Sequence, residues 1–379
     1  MARVLCFMSV VLTIPFMAQA NRDIPECPET LSLKVSFNQE QISAYCLVID
    51  ARTEAEKQED SANGRLKGPL IVFFQGHAQR PSDAFPLTSK LALGSRSGIV
   101  VVPVCDTPYG TDEQWRGDSG KEVILLEIVR WSLPAMGISL AGYELPEGLE
   151  VKINGEAVED CACPVRSDLI LVGWSHGGIL ARRIAHRYPE VVRALGQVCP
   201  AGYEDLGPFG LMGRFTVEAL RLSKLTVSGH GMDTFKSAWG FTRGLAGDFA
   251  RSIPDAFMNL HPAKMLRIGK DVKDCSLLCN SARFSARHLK KIAVVFGSDD
   301  TCMSPGRILS VEEEGSVDRK TLESFRATYF GDVEPEGTAL FVDILPGTHL
   351  GPVTHSDDYV RTLLVHLDGP DDSQGRPES

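Results

Sequence analysis

One serine in this chain is flanked by small residues in a pattern that suits a nucleophile. Residues 173–177 read Gly-Trp-Ser-His-Gly, with Ser175 at the centre and Gly178 directly after the motif. A serine hydroxyl is a poor nucleophile near neutral pH, so it needs a neighbouring base, and the base needs a third group that orients it. The chain therefore has to supply a histidine and a carboxylate that fold back to Ser175.

The residues around Ser175 predict a sharp turn between a strand and a helix. The run Leu-Ile-Leu-Val at 169–172 precedes the serine, and a helical stretch at 179–187 follows it. In such a nucleophile elbow the serine has a strained backbone conformation, which requires small neighbours, and the helix start directs N–H groups at the reaction centre. A glycine-rich turn that carries an inert serine is the alternative interpretation.

Two histidines near the end of the chain are candidates for the base. His349 follows directly after the apolar run 339–345, so its loop can reach back over the sheet edge to Ser175. His355 comes six residues later, where it introduces a final helix, and a structural role at the start of that helix is its ordinary explanation. We therefore favour His349 as the base and keep His355 as the alternative.

Two neighbouring carboxylates are candidates for the group that orients the base. A strand-like run at 292–296 leads into a short turn that contains Asp299 and Asp300. Consecutive side chains along an extended chain point in roughly opposite directions, so only one of the two acids can face the histidine. The residues alone leave both acids open.

The elements that must position these residues alternate between strands and helices. Apolar runs typical of strands buried on both faces of a parallel sheet lie at 70–74, 99–104, 169–172, 194–198, 292–296 and 339–345. Half-buried strands are predicted at 31–37 and 42–49, and helices at 122–133, 179–187 and 359–367. This order predicts an α/β protein with a doubly wound, mostly parallel sheet. Asn154-Gly155 predicts a β-hairpin, and the charged segment 54–67 predicts a surface loop.

From residue 31 to residue 367 the chain resembles the α/β-hydrolase superfamily. The resemblance rests on Gly-x-Ser-x-Gly after a strand and on the order serine, acid, histidine along the chain. It implies a Gly-x-x-Asp acid site, which favours Asp300 over Asp299. It also implies an oxyanion hole formed by the backbone N–H groups of His77 and His176. Gln75 stands where a histidine is common before the glycine, which leaves the preferred acyl group open.

The two ends of the chain predict segments outside the hydrolase-like domain. Arg3, the mostly apolar residues 4–16 and Ala-Gln-Ala at 18–20 are typical of a cleaved export signal at 1–20. A membrane-spanning helix needs about 20 apolar residues, and the apolar run of this segment is shorter than that. We expect a secreted or periplasmic protein with a domain at 21–367 and a disordered tail at 368–379. An insertion at about 203–289 is either a lid over the site or a set of helices that supports the core.

Charge and cysteine content narrow the class of protein. The formal net charge of −10 argues against a nucleic-acid-binding protein, which normally has a basic face. Ten cysteines, one of them in the signal segment, predict disulfide bonds rather than a metal site in an exported protein. The predicted chemistry needs no metal and no organic cofactor.

The function predicted from these residues is hydrolysis of a carboxylic ester through an acyl-enzyme. Ser175 is the expected nucleophile, His349 the base and Asp300 the acid, and the expected substrate is a small-molecule or lipid-like ester. A serine peptidase or amidase would use the same groups, and a catalytically inactive binding protein is the alternative from another class. The substrate, the acyl chain length and the oligomeric state stay open at this point.

Overall fold

The structure, a computed structural model, describes residues 27–38, 40–76, 81–106, 120–158, 165–207, 210, 213–214, 272–273, 276–277, 289–330 and 338–369. The predicted signal segment 1–20, the predicted oxyanion residue His77 and most of the predicted insertion 203–289 lie outside these residues. None of the helices within the described ranges has the length and apolarity needed to cross a membrane.

Most of the described strands belong to one large sheet. The strands are β1 (Leu31–Phe37), β2 (Glu40–Asp50), β3 (Leu70–Phe74), β4 (Ile99–Asp106), β5 (Ile138–Leu140), β6 (Val151–Ile153), β7 (Glu156–Ala157), β8 (Val165–Ser167), β9 (Leu169–Trp174), β10 (Val192–Val198), β11 (Lys291–Gly297), β12 (Gly315–Ser316) and β13 (Ala339–Leu345). Eleven of them form the sheet in the order β12-β13-β11-β10-β9-β3-β4-β2-β1-β6-β7, and β5 pairs with β8 separately.

The centre of the sheet is parallel and its margins are antiparallel. The strands β13, β11, β10, β9, β3 and β4 run parallel to one another, whereas β2, β1, β6 and β7 continue the sheet in antiparallel fashion. Every residue of β3 and of β9 is buried, while β1 alternates between buried and exposed residues. This is the difference expected between a strand covered on both faces and one covered on a single face. The predicted fold class is confirmed.

Helices cover both faces of the sheet. They are α1 (Glu54–Asn63), α2 (Phe85–Gly94), α3 (Gly120–Ser132), α4 (His176–Arg187), α5 (Pro305–Ile308), α6 (Arg319–Tyr329), α7 (Gly351–Thr354) and α8 (Ser356–Leu367). The core on one face contains residues of α3, α4 and α6, and the core on the other contains residues of α2 and α8. Along β3, Val72 and Phe74 face the first core, and Ile71 and Phe73 face the second.

The prediction of a surface loop at 54–67 is wrong, because residues 54–63 form α1. The Thr53 hydroxyl accepts a hydrogen bond from the Glu56 backbone N–H, and the Glu56 carboxylate accepts one from the Thr53 backbone N–H. This reciprocal capping box is the start signal of the helix. Only Asp60 of the helix is buried, so no apolar periodicity marks it in the sequence.

Two further expectations concern the hairpin at Asn154-Gly155 and the C-terminal tail. The hairpin forms as predicted: β6 and β7 pair across Asn154-Gly155, and both turn residues have positive φ. Asp368, which we assigned to a disordered tail, is instead buried and accepts hydrogen bonds from the backbone N–H and Nε of Arg96 at 2.6 and 2.9 Å. Residues 370–379 lie outside the described part of the chain.

The cysteines with a described thiol give no support to the predicted disulfides. Cys46 and Cys199 are both buried and carry free thiols. Burial raises the pKa of the Cys46 thiol to about 12, so this group stays protonated at physiological pH. Cys161, Cys163, Cys275 and Cys279 lie outside the described residues.

Candidate active site

Ser175 occupies a strained turn between β9 and α4. Its backbone has φ 55° and ψ −120°, which lies outside the regions that L-residues ordinarily adopt. Three hydrogen bonds hold the turn: the Ser175 N–H donates to the Val198 carbonyl, and the Ser175 carbonyl accepts from Gly178 and Ala201. Such strain persists only where the surroundings fix the backbone, and it is concentrated at functional sites.

The glycines of the motif are required by close backbone contacts. A Cβ at position 173 would lie 2.3 Å from the Gly177 carbonyl oxygen, and a Cβ at position 177 would lie 2.0 Å from the Phe74 carbonyl oxygen. No rearrangement of a flexible side chain could relieve either clash, because both involve backbone atoms. The start of α4 therefore lies directly against the end of β3, where the segment Gln75–Gly76 begins.

The structure brings together His349 and Asp300. The Nδ1 atom of His349 lies 2.8 Å from Oδ2 of Asp300, and both side chains are almost completely buried. The other carboxylate oxygen, Oδ1, accepts hydrogen bonds from the backbone N–H groups of Cys302 and Met303, each at 2.8 Å. An ionised carboxylate can only accept, so Nδ1 of His349 carries the proton and Nε2 is left with its lone pair as a base.

The neighbouring candidates have different surroundings. Asp299 is exposed, and its backbone N–H donates to the Gly347 carbonyl, so it helps to close the turn beside the histidine loop. His355 lies at the junction of α7 and α8, where its Nδ1 contacts the Thr354 hydroxyl at 2.9 Å. Of the predicted alternatives, the structure pairs Asp300 with His349 and leaves Asp299 and His355 outside that pair.

Trp174 links the histidine loop to the serine turn. Its indole Nε1–H donates to the His349 carbonyl at 3.2 Å, and the two rings lie 6.4 Å apart. Trp174 is fully buried and directly precedes Ser175 in the chain. The nucleophile candidate and the base candidate are thus joined through one rigid side chain at the carboxyl ends of β9 and β13.

Only one of the two expected oxyanion donors lies among the described residues. His176 is the first residue of α4, and the first N–H groups of a helix have no partner within the helix itself. The N-terminal end of a helix also favours negative charge, so this N–H is suited to a developing oxyanion. His77 lies one residue beyond Gly76, where the described segment ends.

A cysteine completes a cluster that could hold a metal ion. The ligand atoms of Cys199, Asp300 and His349 lie within 4.8 Å of one another, and all three residues are buried. The donor set of thiol, carboxylate and imidazole would suit a zinc ion. In this arrangement, however, both carboxylate oxygens already accept hydrogen bonds, and a metal would have to separate Asp300 from His349. Hydrogen bonds thus account for the placement of Asp300 and His349.

The strand order and the serine turn together decide the type of fold. A parallel centre flanked by antiparallel strands carries a strained serine between a buried strand and a helix whose first turn must contain glycine. The fold is that of the α/β hydrolases. In this fold Asp300 follows β11 and His349 follows β13, on the same edge of the sheet as Ser175.

Comparisons with known proteins give structural likenesses only. No protein-family model matches the chain, and no curated protein matches it in sequence. Similar solved structures include a hydrolase from Pseudomonas aeruginosa PA01, which is 17% identical, covers 87% of this chain and 97% of that chain, and has a TM-score of 0.40. The enol-lactonase from Burkholderia xenovorans LB400 has 13% identity, coverages of 85% and 95%, and a TM-score of 0.43. An acetylester hydrolase from Corynebacterium glutamicum has 14% identity, coverages of 91% and 96%, and a TM-score of 0.43.

Proposed function

We propose that this protein is a serine hydrolase that cleaves carboxylic esters through an acyl-enzyme. The observation that carries the proposal is the conjunction of two features at one sheet edge. Ser175 is held in a strained turn, and a buried Asp300–His349 pair leaves the Nε2 of the imidazole as a base. Together the two features supply a nucleophile and its activator.

In the proposed first half-reaction, Ser175 Oγ forms a bond to the ester carbonyl carbon while its proton passes to His349 Nε2. The carbonyl oxygen becomes an oxyanion, and the N–H of His176 together with a second donor, proposed at His77, stabilises it. When the tetrahedral intermediate collapses, the bond to the alkoxide breaks. The same proton then moves from Nε2 to the leaving group, so an alcohol departs and an acyl-serine remains.

In the second half-reaction, water replaces the alcohol. His349 Nε2 takes a proton from the water as its oxygen attacks the acyl carbon, and the proton is returned to Ser175 Oγ when the acid leaves. Asp300 accepts the Nδ1 hydrogen bond throughout, so it fixes the orientation of the ring and stabilises its protonated form. We propose an ester as substrate because an alkoxide leaves more readily than an amide nitrogen.

The test is turnover of p-nitrophenyl esters of short and long acyl chains, with the matching p-nitroanilides as amide substrates. We expect Ser175→Ala to lower kcat on the esters by about 10⁶, because the covalent intermediate can no longer form. Ser310→Ala is the matched control, since Ser310 also has a positive φ but is exposed. Full activity in Ser175→Ala would contradict the proposal, and turnover of anilides in preference to esters would replace the esterase by an amidase.

A further inference from the structure

One peptide group connects the Asp300 carboxylate to an arginine. This peptide joins Cys302 to Met303, and its N–H, which belongs to Met303, donates to Oδ1 of Asp300 at 2.8 Å. Its carbonyl, which belongs to Cys302, accepts a hydrogen bond from Nη1 of Arg214 at 3.0 Å. Because a peptide group is planar, a bond that fixes the direction of the carbonyl also fixes the direction of the N–H.

The guanidinium of Arg214 is itself held by a carboxylate. Its Nη1 and Nη2 atoms donate to the two carboxylate oxygens of Glu204, the Nη2 bond at 3.1 Å. The Arg214 side chain is 17% exposed and that of Glu204 is 13% exposed, so the pair is largely shielded from water. A guanidinium presents its N–H groups in a rigid fork, so Arg214 bonds the Glu204 carboxylate and the Cys302 carbonyl together in one fixed geometry.

The side chains of the same turn pack in an apolar cluster. Cys302 and Met303 are buried in it, together with Ile179 from the first turn of α4 and Ala201 from the segment after β10. Apolar packing keeps these side chains in place, but it has no directional preference. A hydrogen bond does have one. The bond from Arg214 is therefore the contact that can set the angle of the peptide between residues 302 and 303.

We propose that Arg214 is a positioning residue for Asp300. By bonding the Cys302 carbonyl, it directs the Met303 N–H at the carboxylate and keeps the acid in place to orient its histidine. The positive charge acts in the same direction, because a cation at the carbonyl polarises the peptide and strengthens the hydrogen bond that its N–H donates. The inference rests on the proposed function, because it concerns the acid of that reaction.

Loss of the guanidinium should lower kcat and leave KM nearly unchanged. Arg214→Met removes the donor but keeps an apolar side chain of similar length, so the acid is held less firmly. We expect kcat on p-nitrophenyl esters to fall about tenfold, because small misplacements of catalytic groups are costly. KM should change by less than about twofold, since Arg214 acts on the acid. Arg214→Lys keeps the charge without the fork, so its kcat should fall only about threefold.

A double variant separates positioning from the loss of an ion pair. Arg214→Met leaves the Glu204 carboxylate without its cation, and a shielded unpaired charge can disturb a fold by itself. Combining Arg214→Met with Glu204→Leu removes both charges, and kcat should stay about tenfold low, because the arginine donor to the carbonyl is still missing. Arg130→Met is the matched control: Arg130 is 12% exposed and pairs with Glu127 within α3. Its kcat should equal that of the wild type.

Amide hydrogen exchange of the full chain tests the contact without a substrate. Mass spectrometry of peptides that contain residues 302 and 303 should show faster exchange in Arg214→Met and in the double variant than in wild type, and no change in Arg130→Met. If the wild type hydrolyses nothing, the proposed function fails, but the exchange still decides whether Arg214 holds this peptide. Should Arg214→Met not fold, the double variant and Arg214→Lys carry the test.

Three results would overturn the inference. Wild-type kcat in the double variant would assign the loss in Arg214→Met to the unpaired charge of Glu204. An equal loss of kcat in Arg130→Met would show that any shielded ion pair has this effect. Unchanged exchange at residues 302 and 303 in the folded Arg214 variants would show that the arginine does not hold the peptide.

Discussion

Two aspartate–histidine pairs occur among the described residues, and only the fully buried one has the surroundings of a catalytic pair. Asp300 contacts His349 at 2.8 Å, and Asp343 contacts His366 at the same distance. A serine is near the second pair as well, because the Ser316 hydroxyl donates to Asp343 at 2.5 Å. By residue type alone, each region contains a serine, a histidine and an aspartate.

The geometry of the second pair serves the fold. Asp343 lies within β13, paired with Ser316 of β12, and His366 comes from the last turn of α8. The His366 ring binds the carboxylate through Nε2 and stacks on Phe341 with ring centres 4.2 Å apart. The serine donates to the acid and not to the histidine, so no hydroxyl is activated. This pair links the end of α8 to β13. The two regions differ in placement, because Asp300 and His349 each follow the end of a strand, whereas Asp343 lies within one.

The largest expected effect comes from the same substitution in the two acids. Asp300→Asn keeps the shape of the side chain but removes the charge that orients and stabilises His349, so kcat on esters should fall by about 10⁴. Asp343→Asn should change kcat by no more than about threefold, because His366 has no substrate-facing role. Steady-state kinetics on both purified variants checks this, and a comparable loss in the two would remove the distinction between the pairs.

The second pair should instead affect stability, in a pH-dependent way. Burial opposes the charge on Asp343, but the hydrogen bonds from His366 and Ser316 outweigh burial and lower the pKa of Asp343 below its usual value. A lowered pKa in the folded state stabilises the fold above the ordinary aspartate range, and this contribution is lost as the pH falls below about 4. Urea unfolding should therefore show Asp343→Asn about 1–2 kcal/mol less stable at pH 7, with a smaller difference near pH 3.5. A difference that grows on acidification would contradict this reasoning.

The smallest effect is expected at the neighbour of the acid. Asp299 is exposed and contributes a backbone N–H to the turn, which asparagine also provides. Asp299→Asn should change kcat little and stability by less than about 0.5 kcal/mol. Comparison of Asp299→Asn with Asp300→Asn tests whether two neighbouring acids in the same turn differ in their effect on kcat. Exchanged phenotypes would move the role of the acid to Asp299.

Much of the fold could be predicted, because strands buried on both faces appear in the sequence as continuous apolar runs. The bounds of β1, β3 and β13 agree with the runs seen in the sequence, and the serine turn stands between the predicted strand and helix. Elements without apolar periodicity could not be predicted in this way. The helix α1 is polar on nearly all sides, and its marks in the sequence are the capping box at Thr53 and Glu56 and the glycine, Gly64, that caps its end.

Only those residues of the site that stand in local sequence motifs could be predicted. Ser175, His349 and the two acids each follow a strand, which the sequence shows, but the choice of Asp300 over Asp299 depends on the path of the turn. The bond from Trp174 to the His349 carbonyl joins residues 175 positions apart. The closeness of Cys199 to Asp300, with ligand atoms within 4.8 Å of each other, likewise depends on two strand ends meeting, and no pattern near Cys199 indicates it.

The most direct test of the central claim is covalent trapping of the nucleophile. A fluorophosphonate reacts when an activated serine oxygen displaces fluoride from phosphorus, so intact-mass spectrometry followed by peptide mapping shows which serine was labelled. We expect one adduct per chain on Ser175, rapid labelling in wild type and Ser310→Ala, much slower labelling in Asp300→Asn, and none in Ser175→Ala. Labelling at another serine, or a wild-type protein that the probe leaves unmodified, would contradict the assignment of Ser175 as an activated nucleophile.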